Sequence, residues 1–387
     1  MAQAQADVQE AWQLRLITMD DGDTLRLPAG VFTLTESLLV DGVDDLVIEG
    51  AGMHRTVLRF TGQQAGAEGL KVTNCDRATL RGFTVLDAAG DAIKTQGCAG
   101  ITFEDVETSW QGEPRATNGA YGLYPVQCSD VLITDCRARG ASDAGIYVGQ
   151  SERVVVRDCV ARENVAGIEI ENTTDAEVTG CLAEHNTGGI LVFDLPGLVK
   201  KQGGRVLVHG NRVRDNNLDN FAPAGNIVAQ VPPGTGVMVL ATPDVTIRDN
   251  DIAGNRTASV AVVSYHMTEL PIEDAAYEPV PTGVVVRDNR IARAPGLPIL
   301  KNRVGKLLAL KFGRRVPPIV YDGITAETIA GQTPARWGLC VAGNGVDLAY
   351  LDAARGFREL ARNPDGFDCD ALAVGDGDGA SAKTDGR

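Results

Sequence analysis

Positive charge is scarce in this chain. Its 387 residues include 36 Lys and Arg against 51 Asp and Glu, a net charge of −15. A balance of that sign makes nucleic acid and anionic membranes poor partners. No apolar run approaches the roughly 20 residues of a transmembrane segment. No charged-then-apolar leader opens the chain either. Its start, Met-Ala-Gln-Ala-Gln-Ala-Asp, reads as an initiator Met on a mature sequence trimmed at an Ala-x-Ala site, with a native cytoplasmic start as the alternative. Histidine is sparse, and His54, His185, His209 and His266 share no ligand spacing. No Ser/His/Asp arrangement falls on one face. Glycine-rich pieces such as Gly234-Thr-Gly-Val precede no helix and so form no phosphate loop.

The eight cysteines lack a metal pattern, but six of them are regularly placed. Cys75, Cys98 and Cys128 fall at one position of a repeat, and Cys136, Cys159 and Cys181 at another. Coils about 4.8 Å apart would allow a disulfide within either ladder, but stacked reduced thiols are the simpler expectation. Cys340 and Cys369 lie outside both ladders, where a staple would hold a region without a core of its own. A bridge there would favour an oxidising compartment.

What the chain does have is a repeat. Gly69-Leu-Lys-Val72, Ala92-Ile-Lys-Thr95, Gly122-Leu-Tyr-Pro125, Gly145-Ile-Tyr-Val148, Gly167-Ile-Glu-Ile170, Gly189-Ile-Leu-Val192 and Gly236-Val-Met-Val239 follow one pattern. Their first apolar residues are separated by 23, 30, 23, 22, 22 and 47 positions. A period of 22–23 with two insertions is one turn of chain per repeat, each stacked on the last. A second ladder runs in phase, as in Val131-Leu-Ile-Thr-Asp-Cys136, Val154-Val-Val-Arg-Asp-Cys159 and Val245-Thr-Ile-Arg-Asp-Asn250. These are short alternating strands closed by a polar turn, too β-branched and too interrupted for helix. The closing position, Phe83, Val106, Cys136, Cys159, Cys181, Asn211, Asn250 and Asn289, points inward, where stacked Asn can satisfy backbone amides of the next coil. The fold class is all-β, a right-handed parallel β-helix with an N-terminal helical cap and an irregular C-terminal cap.

The cap is assigned to residues 1–22, with helix-compatible sequence over 6–16, and the coils to 23–293. Insertions fall near 108–119 and 194–234. Residues 294–374 form the C-terminal cap, with a helix expected over 350–362, and 375–387 a disordered tail.

Stacking makes residues one period apart into spatial neighbours. The outward column of the first strand reads Lys71, Lys94, Tyr124, Tyr147, Glu169, Leu191, Met238; the next reads Thr73, Gln96, Val126, Gly149, Glu171, Phe193, Leu240. Asn74, Gly97, Gln127, Gln150, Asn172, Asp194 and Ala241 follow at the turn. The middle of this strip, flanked by both insertions, is expected to lie exposed in a groove. Glu169 and Glu171, about 7 Å apart on one strand, suit acid/base work or a hard cation such as Ca²⁺. A solvated Glu-x-Glu is an equally ordinary reading. Tyr124 and Tyr147 suit proton exchange or a sugar platform, and an aromatic ladder that only stabilises the sheet is the alternative. Lys71 and Lys94 read as solvated.

The coil repeat over residues 20–293 resembles the parallel β-helix superfamily of pectate lyases, polygalacturonases and mannuronan C5-epimerases. More narrowly, Asn118–Gln127, Asn164–Asn172 and Asn186–Gly197 resemble a group of exported bacterial β-helix proteins. Tyr121-Gly-Leu-Tyr-Pro-Val-Gln127 is similar to the Tyr-Gly-Phe-Asp-Pro-His motif of the epimerases at Tyr121, Gly122 and Pro125. Tyr124 and Val126 replace that motif's Asp and His, so its mechanism does not carry over intact. The polygalacturonase Asp cluster and the pectate-lyase Arg and Ca²⁺ pattern are not evident.

The resemblance implies a periplasmic or extracellular enzyme, a lyase or epimerase acting on a polysaccharide or oligosaccharide. Tyr124, Tyr147, Glu169, Glu171 and Asp194 are its candidate catalytic residues, with Tyr121, Gln127, Gln150, Asn172 and Phe193 contacting substrate. Glu169, Glu171 and Asp194 are candidate Ca²⁺ ligands, the cation neutralising the substrate carboxylate. Without it, an acidic strip would repel a polyuronate. The competing reading is a non-catalytic glycan-binding or envelope scaffold protein with a protein partner. Hydrolysis by the three carboxylates is a third.

Overall fold

The computed structural model describes residues 2–369 other than Arg336, with side chains from Val8 onward. The chain winds as a right-handed parallel β-helix. One long sheet of 12 strands includes Ile93–Gln96, Tyr121–Val126, Ala144–Gly149, Ala166–Glu171, Gly188–Phe193, Thr235–Leu240 and Ala258–Val263. The other two strands of each coil join into a 19-stranded sheet bent at a turn. Stacking is in register: Ile146 pairs with Ile168, Ile168 with Ile190 and Ile190 with Val237.

Each bend needs one residue in the left-handed region, which explains the sequence there. Asp105, Asp135, Asp158, Asp249 and Asp288 have φ of 53° to 56°, and Gly180 and Gly210 take the same place at 64°. Asp and Gly tolerate this conformation better than most residues. The next residue points inward, as expected. Asn250 Oδ1 accepts from the backbone N of Asn211 at 3.0 Å, Asn289 does the same for Asn250, and Asn344 for Asn289. A second ladder, Asn164, Asn186, Asn216 and Asn255, forms at another corner. The six ladder cysteines are buried free thiols.

The N-terminal end is closed by α1, Ala2–Ile17. Two glutamines of α1 act as a surrogate strand: Gln13 both donates to Leu39 O (3.0 Å) and accepts from Leu39 N (2.9 Å), and Gln9 accepts from Thr35 N (2.8 Å).

The C-terminal region departs from expectation. Parallel pairing continues past residue 293: Leu339–Ala342 stacks on Val284–Arg287, and Ile319–Tyr321 on the Ala258–Val263 strand. The intervening sequence is an insertion holding α2, Arg303–Phe312, capped by Asn302. No helix spans 350–362. Leu348–Tyr350 is a strand stacked on Ile319–Tyr321, and Asp352 (φ 52°) and Gly356 (φ 69°) break the chain beyond it. Burial of Tyr350 beside Tyr321 and Phe367 outweighs its helical neighbours in sequence. Cys340 and Cys369 are disulfide-bonded with Cα atoms 5.0 Å apart. The tail expected over 375–387 lies outside the described residues.

Candidate functional site

The expected columns form on the outer face of the 12-stranded sheet. Lys71 neighbours Lys94, Lys94 neighbours Tyr124, Tyr147 neighbours Glu169, and Glu169 neighbours Leu191. Glu171 sits between Gly149 and Phe193.

The strip is not the open groove that its sequence led us to expect. Tyr147 is 4% exposed, Glu169 2%, Glu171 8% and Asp194 0%. The second insertion and residues 264–282 fold back over the sheet, and Val228, Val231, Tyr265 and Tyr277 join Tyr147, Leu191 and Phe193 in an apolar cluster outside the coil. Two of the residues expected to bind substrate, Gln150 and Asn172, hold this cover instead. Gln150 Oε1 accepts from the backbone N of Val199 (3.0 Å) and of Lys200 (3.2 Å). Asn172 Nδ2 donates to Leu195 O and Lys200 O, both at 3.0 Å. Gln127 accepts from Gln96 at 3.1 Å. Gln127, Gln150 and Asn172 all have positive φ, so the turn itself accounts for amides there. Phe193 is buried within the apolar cluster outside the coil.

Beneath the cover lies a cluster of phenols and carboxyls. The rings of Tyr121, Tyr124 and Tyr147 have centroids 4.4 to 4.9 Å apart. Tyr147 Oη donates to Glu171 Oε1 at 2.6 Å. Asp143 belongs to the same cluster, accepts from Asn226 Nδ2 of the cover at 3.1 Å, and was not singled out from sequence. A signal existed: Asp91-Ala-Ile93 and Asp143-Ala-Gly-Ile146 both set an Asp just before the strand.

Burial governs the protonation of these groups. It pushes Glu171 up to about 7 against the Tyr147 hydrogen bond, and Asp143 to about 7 against that of Asn226. It raises Asp194 to about 7. Glu169 is driven well above the ordinary carboxyl range by burial first, then by the charges of Asp143 and Glu171. Glu169 Oε2 has no hydrogen-bond partner among the described residues. The phenol of Tyr147 is likewise raised, chiefly by burial.

The Ca²⁺ ligand set expected of Glu169, Glu171 and Asp194 is not assembled. Asp194 Oδ1 is taken by Gly203 N at 3.0 Å and Glu171 by Tyr147. Among the described residues no three His, Cys, Asp or Glu side chains converge on a metal position.

The accessible end of the strip is its early coils, where Tyr121, Tyr124, Asp91, Lys94 and Lys71 are half-buried. Lys94 Nζ lies 4.8 Å from the Tyr124 ring centroid. Asp91 Oδ1 accepts from Tyr121 N at 3.3 Å, and burial, opposed by Lys94, raises it to about 6. Burial and the Asp91 charge push Tyr124 up to about 12.

A family model described as a right handed beta helix region matches residues 68–216. The chain has the right-handed parallel β-helix fold. Among solved structures, this β-helix is similar to the A-module of mannuronan C-5 epimerase AlgE4 from Azotobacter vinelandii, at 15% identity and a TM-score of 0.51, over 88% of this chain and 90% of that one. The AlgE6 A-module of the same organism gives 15% identity and 0.50 over the same shares. At such identity the likeness is one of fold. A comparison with curated protein sequences finds no match.

Proposed function

We propose that this β-helix is an exported carbohydrate-active enzyme of the lyase or epimerase type, acting on a uronate-containing polysaccharide at the early coils of the 12-stranded sheet. The observation that carries this reading is the half-buried group of Asp91, Lys94 and Tyr124. A carboxylate with pKa about 6 is a fitting base for neutral solution. Asp91 takes the proton from the carbon next to the uronate carboxylate, and the Lys94 ammonium holds the negative charge that develops. Tyr124, protonated at neutral pH, gives a proton back. Delivered to the other face of that carbon it completes an epimerisation; delivered to the glycosidic oxygen it completes an elimination. Tyr147, Glu171, Glu169 and Asp194 support this group from beneath the cover and do not meet the sugar.

The raised carboxyls also bear on the repulsion expected of an acidic strip. Groups that hold protons near neutrality repel a polyuronate less, and Lys94 is a positive charge left at the mouth, Lys71 being paired with Glu68 at 3.7 Å. Bond formation between Cys340 and Cys369 fits an oxidising, extracytoplasmic setting.

The test is a panel of uronate polymers, read by ultraviolet absorbance for the unsaturated product and by NMR for inverted sugars. Asp91→Asn and Tyr124→Phe are each expected to cut turnover about 100-fold or more with binding retained. Binding without turnover by the unaltered protein on every polymer would instead establish the second reading, a non-catalytic glycan binder or envelope scaffold. The burial of Tyr147 and Glu169 favours that reading.

A further inference from the structure

A separate site lies further along the same sheet and does not rest on the proton-transfer reading. Met238, Ala261 and Val320 share one outward column. Ala261 reaches out from the sheet less far than Met238 and Val320 on either side, and space is left above it. The result is a slot of about 70 Å³ walled by Phe193, Val231, Met238, Ala261, Val263 and Val320. One water needs about 10–15 Å³ by such a measure, so the slot admits several methylene-sized groups, and its apolar walls disfavour water. Met238 packs against two apolar clusters at once, so the slot is where they fail to meet.

Val231, Met267 and Val304 also wall a second space of about 620 Å³, open to solvent. The chemistry changes there. Gln230 supplies an amide, whereas Asn220 is engaged with Val228 O and Val231 O and Asn302 caps α2 through Gly305 N. The cations are already answered: Lys301 is paired with Asp219, and Arg303 with Glu269 at 2.6 Å. The Gln230 amide and the neutralised ion pairs offer donors and acceptors but no free charge to bind an anion. That suits a hydroxyl-rich, uncharged head, while the slot suits a short hydrocarbon.

The geometry points to a binding site for an alkyl- or acyl-bearing sugar, its chain in the slot beside Ala261 and its hydroxyls in the space beneath α2. Each methylene entering the slot should tighten binding about fourfold.

Hexyl β-D-glucoside titrated calorimetrically into the full chain tests this. Binding is expected at millimolar concentration or below, with glucose and hexanoate each at least about tenfold weaker. Ala261→Leu fills the slot and should weaken hexyl glucoside about tenfold or more at an unchanged melting temperature. Val304→Phe, on the half-buried α2 wall, narrows the slot from the other side should the first variant not fold. Three results would overturn the assignment: no heat with the unaltered protein, hexanoate binding as tightly as the glucoside, or undiminished affinity in either folded variant.

Discussion

At the scale of single residues, Glu169 is a costly group to keep charged. It is fully enclosed, one oxygen lacks a partner, and Asp143 and Glu171 lie close enough to oppose its ionisation. A carboxyl whose pKa is higher folded than unfolded stabilises the fold at low pH, and that contribution is lost as pH rises through the folded value. Glu171, Asp143 and Asp194 are shifted in the same direction, to about 7 each. The melting temperature is therefore expected to fall as pH is raised from about 5 to 8. Glu169→Gln, which keeps the shape and removes the charge, should flatten that dependence and raise the melting temperature at pH 8. Calorimetric scans at the two pH values check both, and a steeper fall in the variant would contradict the account. His266, lowered by burial, titrates in the opposite sense and only partly offsets the carboxyls.

Among the elements, α1 does more than cover apolar ends. Its Gln9 and Gln13 side chains occupy backbone groups of the first strand of the sheet, groups otherwise free to pair with another chain. Leu39 on that strand is 45% exposed, which adds to the hazard. Gln9→Ala together with Gln13→Ala should leave the coil folded and promote end-to-end association, seen as a concentration-dependent larger species in size-exclusion chromatography. The asparagine ladders work by the same principle inside the coil, where side-chain amides answer backbone groups at the corners that strand pairing leaves unmet.

For the whole molecule, the Cys340–Cys369 bridge ties the last described residues to the final strand of the 19-stranded sheet. It closes a loop over a sequence separation of 29 residues, for which chain entropy gives a stabilisation of about 3.6 kcal/mol. Cys340→Ser should lower chemical stability by roughly that amount. The loss should concentrate in the C-terminal coils, with hydrogen exchange at Leu348–Tyr350 quickening more than at Ile168. Uniform acceleration along the coil would mean the stack melts as one unit.

The sequence by itself determined the winding, the register and the inward side of nearly every strand between Leu70 and Val262. Period, alternation and the Asp, Gly or Asn of each bend are local facts repeated many times, and repetition fixes stacking. It also placed Tyr147 beside Glu169 and Glu169 beside Leu191, because in a coil one period of sequence is one step in space. Only the tertiary structure decided whether that strip meets solvent. The 194–234 insertion and residues 264–282 carry no repeat, and what they cover depends on side chains from distant coils, such as Gln150 and Asn172, catching their backbone. The same cause hid the coils beyond residue 293 and the slot beside Ala261. One follows from pairing across long insertions, the other from a small residue whose neighbours lie one coil away on either side.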